Sequence, residues 1–281
     1  GYVRALFARK PGLAAGATIP RIEARVASVQ VDAEGLARYR SVCGFPASGV
    51  LPPTYPHVLA APLHVALLTS RPFPLPAMGI VHVRNTIVQH AAISEGATLS
   101  VECFVEGHRE ARSGIEYDLV TAVRDGDRLA WESVTTILSP VRRKREEGDA
   151  SRKAVPSSAE EPADPPTVAD WAVPADQGRR YASASGDWNP IHLYPLTARL
   201  LGFKRPIAHG MWTLARCVAS IGEVPADPVR IEVDFRRPLF LPGAVAFAAG
   251  TEGGASRFVV RSTRDGKLLL SGTVAPAAPA P

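Results

Sequence analysis

The sequence has few cysteines and no long apolar run, and both absences exclude classes of protein. Its 281 residues include three cysteines, Cys43, Cys103 and Cys217, an odd number with no metal-binding spacing. We therefore expect reduced thiols, as in a cytoplasmic protein. No apolar stretch approaches the ~20 residues that span a bilayer. Pro11 and Gly12 interrupt the apolar N-terminal segment, so no signal peptide is predicted either.

The net charge of +5 is modest and unevenly spread. A basic balance suits nucleic acid, an acidic carrier protein or a phosphate-rich cofactor. The sequence has no zinc-finger spacing and no aromatic ribonucleoprotein motif, so nucleic acid is not an expected partner. Residues 142–145, Arg-Arg-Lys-Arg, hold much of the charge and favour a solvated linker over a binding patch.

The segment from Ser139 to Pro166 differs in composition from the rest of the chain. Its basic cluster is followed by Glu, Ser, Pro and Ala, which predicts a flexible linker over 141–166. The linker separates an N-terminal domain, 1–140, from a C-terminal domain, 167–281. The last seven residues of the chain are only alanine and proline, and we expect them to be disordered and to continue no strand or helix.

The two halves resemble each other, which indicates an internal duplication. Tyr39-Arg-Ser-Val-Cys-Gly44 parallels Tyr181-Ala-Ser-Ala-Ser-Gly186. Arg-Asp-Gly occurs at 124–126 and again at 264–266, each time between strand-like runs, where Asp-Gly favours a tight hairpin turn.

Each half combines one helix with several strands. Apolar residues at three- and four-residue spacing predict a helix over Gly210–Ile221, and the matching apolar segment of the first half is 58–68. Alternating or β-branched runs predict strands at 99–105, 117–123, 131–138, 229–235, 244–248 and 257–263. The pattern predicts an α+β fold in which two antiparallel sheets each wrap around a central helix.

One loop of the second half, Gly186–His192, carries groups suited to proton transfer. Gly, Asn and Pro favour a loop that brings Asp187 and His192 to a common point. A carboxylate beside an imidazole can hold a water molecule and pass protons near neutral pH. The alternative is structural, with Asp187 as a turn residue and Asn189 as a turn or cap residue.

A second polar cluster, Ala208-His209-Gly210-Met211, stands at the predicted start of the second helix. A helix N-terminus presents unpaired N–H groups, and glycine lets a ligand approach the backbone closely. The N–H of Gly210 could therefore stabilise an oxygen that gains negative charge during a reaction. For His209 the alternative is a helix-start residue whose side chain bonds to the backbone.

These two clusters carry a family resemblance. The pattern Tyr181-Ala-x-x-Ser-Gly-Asp-x-Asn-Pro-Ile-His192, with Ala198-x3-Gly202-Phe203 and Ile207-Ala-His-Gly-Met211, resembles the hydratase-2 motif of MaoC-like (R)-specific enoyl-thioester hydratases. The whole chain is similar to double-hot-dog 3-hydroxyacyl-thioester dehydratases of the HtdX-like branch. The resemblance implies reversible hydration of trans-2-enoyl thioesters in fatty-acid metabolism. It also implies that no cofactor or metal is needed.

The resemblance also implies roles for individual residues. Asp187 and His192 match the catalytic pair that holds the water, and Gly210 matches the backbone donor to the thioester carbonyl. Asn189, His209 and Met211 are expected to support the site or bind substrate. Two alternatives remain open: a thioesterase, because hot-dog folds also host that activity, and a non-catalytic acyl-thioester-binding protein.

The first half departs from the motif. Phe45 stands where the second copy has Asp187, and the sequence pairs Leu59 with His209. We therefore expect one active site, with the first half as scaffold and acyl-binding surface. Small and apolar residues of the first half would suit a tunnel for a long acyl chain: Ala60, Ala61, Leu63 and Ala66.

The thioester carrier and the oligomeric state follow less directly from the sequence. A basic surface suits both acyl-CoA and an acidic acyl carrier protein, and Lys204-Arg205 and Arg236-Arg237 are candidates unless they are merely solvated. Two fused hot-dog units can replace the pair that single units form by dimerising. A monomer is therefore expected, with a homodimer as the alternative.

Overall fold

Each half of the molecule has one strand, then its helices, then four more strands. The computed structural model describes residues 10–14, 16–140, 163–222 and 227–278. The strands in these parts of the chain are β1 (Ile22–Gln30), β2 (Val81–Gln89), β3 (Thr98–Ala111), β4 (Gly114–Asp125), β5 (Arg128–Pro140), β6 (Thr167–Val173), β7 (Val229–Phe235), β8 (Gly243–Glu252), β9 (Ala255–Ser262) and β10 (Leu268–Pro276). The helices are α1 (Ala33–Cys43), α2 (Pro56–Thr69), α3 (Gln177–Ser185), α4 (Pro195–Leu200) and α5 (Gly210–Ile221), with a 3-10 turn at Pro190–His192.

All ten strands form one antiparallel sheet in the order β1-β3-β4-β5-β2-β7-β10-β9-β8-β6. The second half of this order repeats the first in reverse, so the halves are related by a pseudo-twofold axis at the β2–β7 pair. Ile87 on β2 pairs with Ile231 on β7 near that axis, and both side chains are fully buried. The α+β prediction is confirmed, but the two predicted sheets are one, because backbone hydrogen bonds continue across the junction.

Two short helices meet between the halves and confirm the duplication. Helices α1 and α3 pack against each other, and the rings of Tyr39 and Tyr181 lie 6.1 Å apart. Each helix ends at a glycine in the left-handed region, Gly44 at φ 85° and Gly186 at φ 74°. A side chain is disfavoured in that conformation, which explains why both copies keep glycine there.

The two Arg-Asp-Gly copies end in different loops. After the first copy, Asp125 pairs with Arg128, so Gly126 and Asp127 form the expected two-residue hairpin. After the second, residues 263–267 connect β9 to β10, and the N–H of Gly266 donates to the carbonyl of Ser262. The tight turn is therefore confirmed for the first copy and wrong for the second, where three more residues lengthen the loop.

The chain end corrects another expectation. Ala275 and Pro276 belong to β10 and pair with Arg230 and Val229 of β7. Proline is tolerated there because β9 pairs with β10 only as far as Val274, so no neighbour requires its missing N–H. Residues 279–281, the basic cluster 142–145 and residues 141–162 of the predicted linker 141–166 lie outside the described residues. The last four linker residues are described and have no regular secondary structure, and the N–H of Ala249 donates to the carbonyl of Pro166. The division into two domains stays a prediction.

The cysteines and helices of the described residues can be set against the expectations from sequence. The three cysteines are buried and unpaired. Among the described helices, none is both long and apolar enough to cross a membrane. Helix α5 has the predicted bounds, while α2 begins two residues before and ends one residue after the predicted segment 58–68.

Candidate active site

The loop after α3 is held by hydrogen bonds at successive residues. The hydroxyl of Ser185 accepts a hydrogen bond from the N–H of Asp187 at 3.2 Å and donates to the carbonyl of Tyr181. The carboxylate of Asp187 accepts from the N–H of Asn189 at 3.1 Å, and the Asn189 side chain accepts from the N–H of Ile191. These contacts fix the backbone of Asp187 while its side chain remains half exposed toward a cavity. Asn189 caps the 3-10 turn, which supports the cap alternative.

His192 is buried and its tautomer follows from its partner. Its Nδ1 lies 2.8 Å from the carbonyl oxygen of Ile207. A carbonyl only accepts, so Nδ1 carries the proton and Nε2 keeps a lone pair. The backbone of His192 lies directly against Gly178 of α3, where an added Cβ would be 1.9 Å from the His192 carbonyl oxygen. Glycine at 178 therefore permits the close approach that sets the position of His192.

His209, the N-cap residue of α5, joins the two predicted catalytic groups. Its Nε2 donates to the backbone carbonyl of Asp187 at 3.0 Å and lies 3.7 Å from the carboxylate of that residue. Its ring stacks on the ring of His192 at 3.6 Å and contacts Tyr181 at 4.9 Å. The bond to backbone agrees with the structural alternative for His209, and the stacking places the same ring against His192.

Gly210 is the first residue of α5 and lines the cavity. The first N–H groups of a helix have no partner within the helix and carry partial positive charge. An added Cβ on Gly210 would lie 3.0 Å from the ring of Phe235, tighter than most contacts. Glycine thus leaves room both for Phe235 and for a ligand at the N–H. Met211 follows in the first turn, buried and also lining the cavity.

The three polar side chains lie close enough to share one small ligand. Ligand-type atoms of Asp187, His192 and His209 all lie within 4.8 Å of one another. A water molecule between two acceptors about 2.8 Å away on each side would span that separation. By distance a metal ion could also use such a set. The Nε2 of His209 donates to the Asp187 carbonyl, whereas its buried Nδ1 has no hydrogen-bond partner in the part of the chain that the structure describes. The expectation that no metal is needed stays a prediction.

The pKa values favour a charged carboxylate beside neutral imidazoles. Desolvation raises the pKa of Asp187, but His209, His192 and the N–H of Asn189 outweigh it and leave the pKa below its ordinary value. Burial lowers the pKa of His192, and the neighbouring His209 lowers it further. Burial also lowers the pKa of His209. Near neutral pH the pair is therefore an Asp187 carboxylate and a neutral His192.

A cavity of about 740 Å³ extends from this pair into the N-terminal half. Its first-half lining comes from one face of α2 and from β2, β4 and β5. Of the four residues predicted for a tunnel, Ala61 lines the cavity, while Ala60 and Leu63 belong to the apolar core and Ala66 is exposed. The prediction was wrong for those three because only one side of the helix faces the cavity.

In the first half, the positions that correspond to Asp187, His209 and Gly210 hold Phe45, Tyr55 and Pro56. Helix α2 begins at Pro56 as α5 begins at Gly210, so the helix starts pair Tyr55 with His209, and the sequence pairing of Leu59 with His209 was wrong. The contacts agree, because Tyr55 packs on Tyr39 at 5.0 Å as His209 packs on Tyr181. Proline has no N–H, so even the backbone donor is missing at that helix start.

The sequence assigned no role to several residues of the site, although Ser185 and Ile207 stand in the motif. Ser185 anchors the Asp187 loop, Ile207 fixes the His192 tautomer, and Phe235 packs at Gly210. His57, His64 and His82 also face the cavity from the first half. The spacing of His57 and His64, seven residues apart on a helix, was the available signal, but only the fold shows which face they occupy.

Comparisons with known proteins give a consistent result. A family model described as MaoC like domain matches residues 157–270. The 3-hydroxyacyl-thioester dehydratase X of Mycobacterium tuberculosis (strain ATCC 25618 / H37Rv) is 34% identical over 256 residues, covering 91% of this chain and 90% of that protein. The crystal structure of HtdX of Mycobacterium tuberculosis matches with a TM-score of 0.80 and 32% identity, covering 92% of this chain and 100% of that one.

A further solved structure concerns the fold alone. A conserved hypothetical protein from Mycobacterium tuberculosis, described as having a double hotdog fold, matches with a TM-score of 0.58 at 12% identity. The match covers 90% of this chain and 94% of that protein. The predicted double hot-dog fold is confirmed.

Proposed function

The chain belongs to the MaoC-like dehydratase family, and from that premise we propose that it is a hydro-lyase that interconverts trans-2-enoyl and (R)-3-hydroxyacyl thioesters. The observation that carries the proposal is the placement of the Asp187 carboxylate, the His192 imidazole and the start of α5 around one cavity. The relative that covers most of the chain is named as a 3-hydroxyacyl-thioester dehydratase.

Asp187 and His192 hold the reacting water. The two O–H groups of the water donate hydrogen bonds, one to the carboxylate and one to the Nε2 lone pair of His192, which leaves a lone pair of the water oxygen free to attack C3. As that C–O bond forms, the pair takes one proton from the water and returns one proton to C2. The pair regains its starting state, so no redox group takes part.

The N–H of Gly210 polarises the substrate. Attack at C3 pushes electrons onto the thioester oxygen, and a hydrogen bond from the start of α5 stabilises that developing charge. In the reverse direction the same bond acidifies the C2 proton before water leaves. His209 holds Asp187 through the backbone bond and His192 through the stack, so we assign it a positioning role, with Asn189 supporting the loop.

The acid limb of the pH profile should be displaced to low pH. The pKa values of Asp187 and His192 both lie below their ordinary values, so the active form, carboxylate with neutral imidazole, persists as the pH falls. We expect kcat/KM to stay flat from pH 8 through the ordinary imidazole value of about 6.5 and down to about 6, with loss only at lower pH. Steady-state kinetics in mixed buffers measure the profile, and an inflection at 6.5 would contradict the assigned protonation states.

The cavity is the proposed binding site of the acyl chain, so filling it should change which chain lengths the protein accepts. Ala61→Phe should fill part of the acyl cavity and lower kcat/KM for long-chain substrates by about tenfold or more relative to crotonyl-CoA. Ala66→Phe is the matched control, because Ala66 lies on the same helix with its side chain exposed. Equal chain-length profiles for both variants would exclude the cavity as the acyl site.

The carrier and the state of assembly are part of the proposal. Arg236 and Arg237 are exposed at the cavity mouth, where they can meet the phosphates of CoA or an acidic carrier protein, whereas Lys204 and Arg205 do not line it. The internal pseudo-dimer supports a monomer as the functional unit. The unpaired thiols of all three cysteines support a cytoplasmic location.

The decisive experiment measures turnover and product together. Purified protein is incubated with trans-2-enoyl-CoA substrates of increasing length, and the 3-hydroxyacyl product is resolved by chiral chromatography. The proposal expects the (R) product without release of free thiol. Free thiol without hydration would identify a thioesterase, and binding without turnover would identify an acyl-thioester-binding protein.

A further inference from the structure

The first half presents a cluster of histidines to the acyl cavity. One face of α2 lines it with residues at helical spacing: His57, Ala61, His64, Val65 and Leu68. His82 of β2 lines the same space. The rings of His57 and His64 lie 5.1 Å apart, and the ring of His57 stacks over that of His82 at 6.1 Å. Three imidazoles thus interrupt a wall that is otherwise largely apolar.

The cluster adjoins the reacting end of the cavity. The ring of His82 contacts that of Phe235 at 4.9 Å, and Phe235 packs at Gly210. A substrate whose carbonyl meets the Gly210 N–H has room to extend its acyl chain past Phe235 and these imidazoles into the first half. On that path the acyl chain, rather than the carrier, is the part of the substrate that meets them.

The hydrogen bonds of the three histidines leave one buried ring nitrogen, Nδ1 of His57, without a partner among the described residues. His64 Nε2 pairs with the hydroxyl of Thr121 at 2.8 Å, and His82 Nε2 donates to the carbonyl of Arg84 at 2.9 Å. A buried polar atom without a partner is unfavourable, and a ligand oxygen that bonded to Nδ1 of His57 would remove that cost.

The rings are also uncharged near neutral pH. Burial lowers the pKa of His57 to about 4 and that of His82 to about 3, and burial holds the pKa of His64 well below its ordinary value. Neutral imidazoles donate and accept hydrogen bonds without attracting an anion. The matching group on an acyl chain is a neutral oxygen, not a carboxylate.

We propose that His57, with His64 and His82 beside it, binds a hydroxyl or carbonyl oxygen carried by the acyl chain beyond C3. The preferred substrate of the proposed hydro-lyase is then an oxygenated enoyl thioester rather than a plain alkyl one. The inference rests on the proposed function for its assay, and it names the class of acyl group that the same site selects.

The test compares substrates that differ by one oxygen. Wild-type protein is assayed with trans-2-decenoyl-CoA and with derivatives that carry one keto group at successive carbons beyond C4. We expect at least one derivative to exceed the plain chain in kcat/KM by about tenfold. His57→Phe should abolish that preference, and His57→Asn, whose amide can replace the Nδ1 hydrogen bond, should retain part of it. His108→Phe, on β3 outside the cavity, is the control and should keep the wild-type ratio.

A binding measurement keeps the two proposals separable. Titration calorimetry with saturated decanoyl-CoA and its keto derivatives reports the preference without requiring turnover, and thermal melting confirms that each variant is folded. Hydration of all chains with no preference for any keto isomer would overturn the inference and leave the proposed function intact. Tighter binding of a keto chain without hydration would overturn the proposed function alone. A preference that survives in His57→Phe would assign the selectivity elsewhere and overturn the inference.

Discussion

Asp187→Asn is expected to lower kcat for enoyl-thioester hydration by a factor of about 10²–10⁴, the usual contribution of a general acid–base group. The amide keeps the Oδ1 acceptor that receives the Asn189 N–H, so the loop should retain its shape. What is lost is the negative charge and the ability to take a proton from water. Stopped-flow or steady-state hydration of crotonyl-CoA measures the loss.

The controls for this variant separate chemistry from folding. Asp170→Asn makes the same change on an exposed position of β6 and should leave kcat unchanged. His192→Ala should lose a comparable factor, because the pair acts as a unit and its effects should not add in the double variant. Near-normal turnover by both Asp187→Asn and His192→Ala, with wild-type melting curves, would remove these residues from the mechanism.

Gly210→Pro is expected to lower kcat by about 10²–10³ because it removes the backbone donor to the thioester oxygen. Proline is favoured at the first position of a helix, and His209 already has the extended backbone, φ −65° and ψ 134°, that a following proline requires. The first half has proline at its own helix start, Pro56. Kinetics with crotonyl-CoA measure the effect.

Gly210→Ala is the comparison that isolates the N–H. Alanine adds the same Cβ near Phe235, 3.0 Å from its ring, but keeps the N–H. Both variants carry the steric cost of the added Cβ, so that cost cancels in the ratio of their kcat values. The ratio therefore measures the contribution of the N–H hydrogen bond. Equal activity of the two variants would mean that the N–H of Gly210 does not stabilise the reacting oxygen.

Local sequence patterns were enough to predict many of the individual helices and strands. The apolar spacing of α5 gave its bounds, and the runs at 229–235 and 99–105 gave β7 and much of β3, because period and β-branching report on a single element. The strands β1, β2, β6 and β10 were not identified. Few residues of β1 and β6 are buried, so apolar patterning marks them weakly, and β10 runs into the alanine- and proline-rich tail for which no strand was expected. The joining of two sheets into one depends on pairing between β2 and β7, residues far apart in sequence, which no local pattern contains.

The residues of the site also fall into two groups, those that a local motif identified and those that only the fold brings together. Asp187, His192 and Gly210 were identified because each stands in a short stretch that matches the family motif, and all three line the same cavity. Their chemical roles stay predictions. Pairing Leu59 with His209 failed because it aligned Pro56 with Pro206, whereas Pro56 begins α2 as Gly210 begins α5. The first copy is shorter before this helix, since it lacks the residues that form the 3-10 turn and α4. His57 and His82 were missed because they come from separate elements of the other half and meet the site only through the fold.

The β2–β7 junction also changes what mutation can do to this protein. In an assembly of two identical chains, every substitution appears in both copies at once, so a change that harms one reaction centre harms its twin. Here the two copies share one sheet, but each is encoded by its own part of the sequence, so a substitution changes only one of them. The first half can therefore hold Phe45 and Pro56 while the second half keeps Asp187 and Gly210. The first half, which has no catalytic pair to maintain, can change to recognise the far end of a substrate.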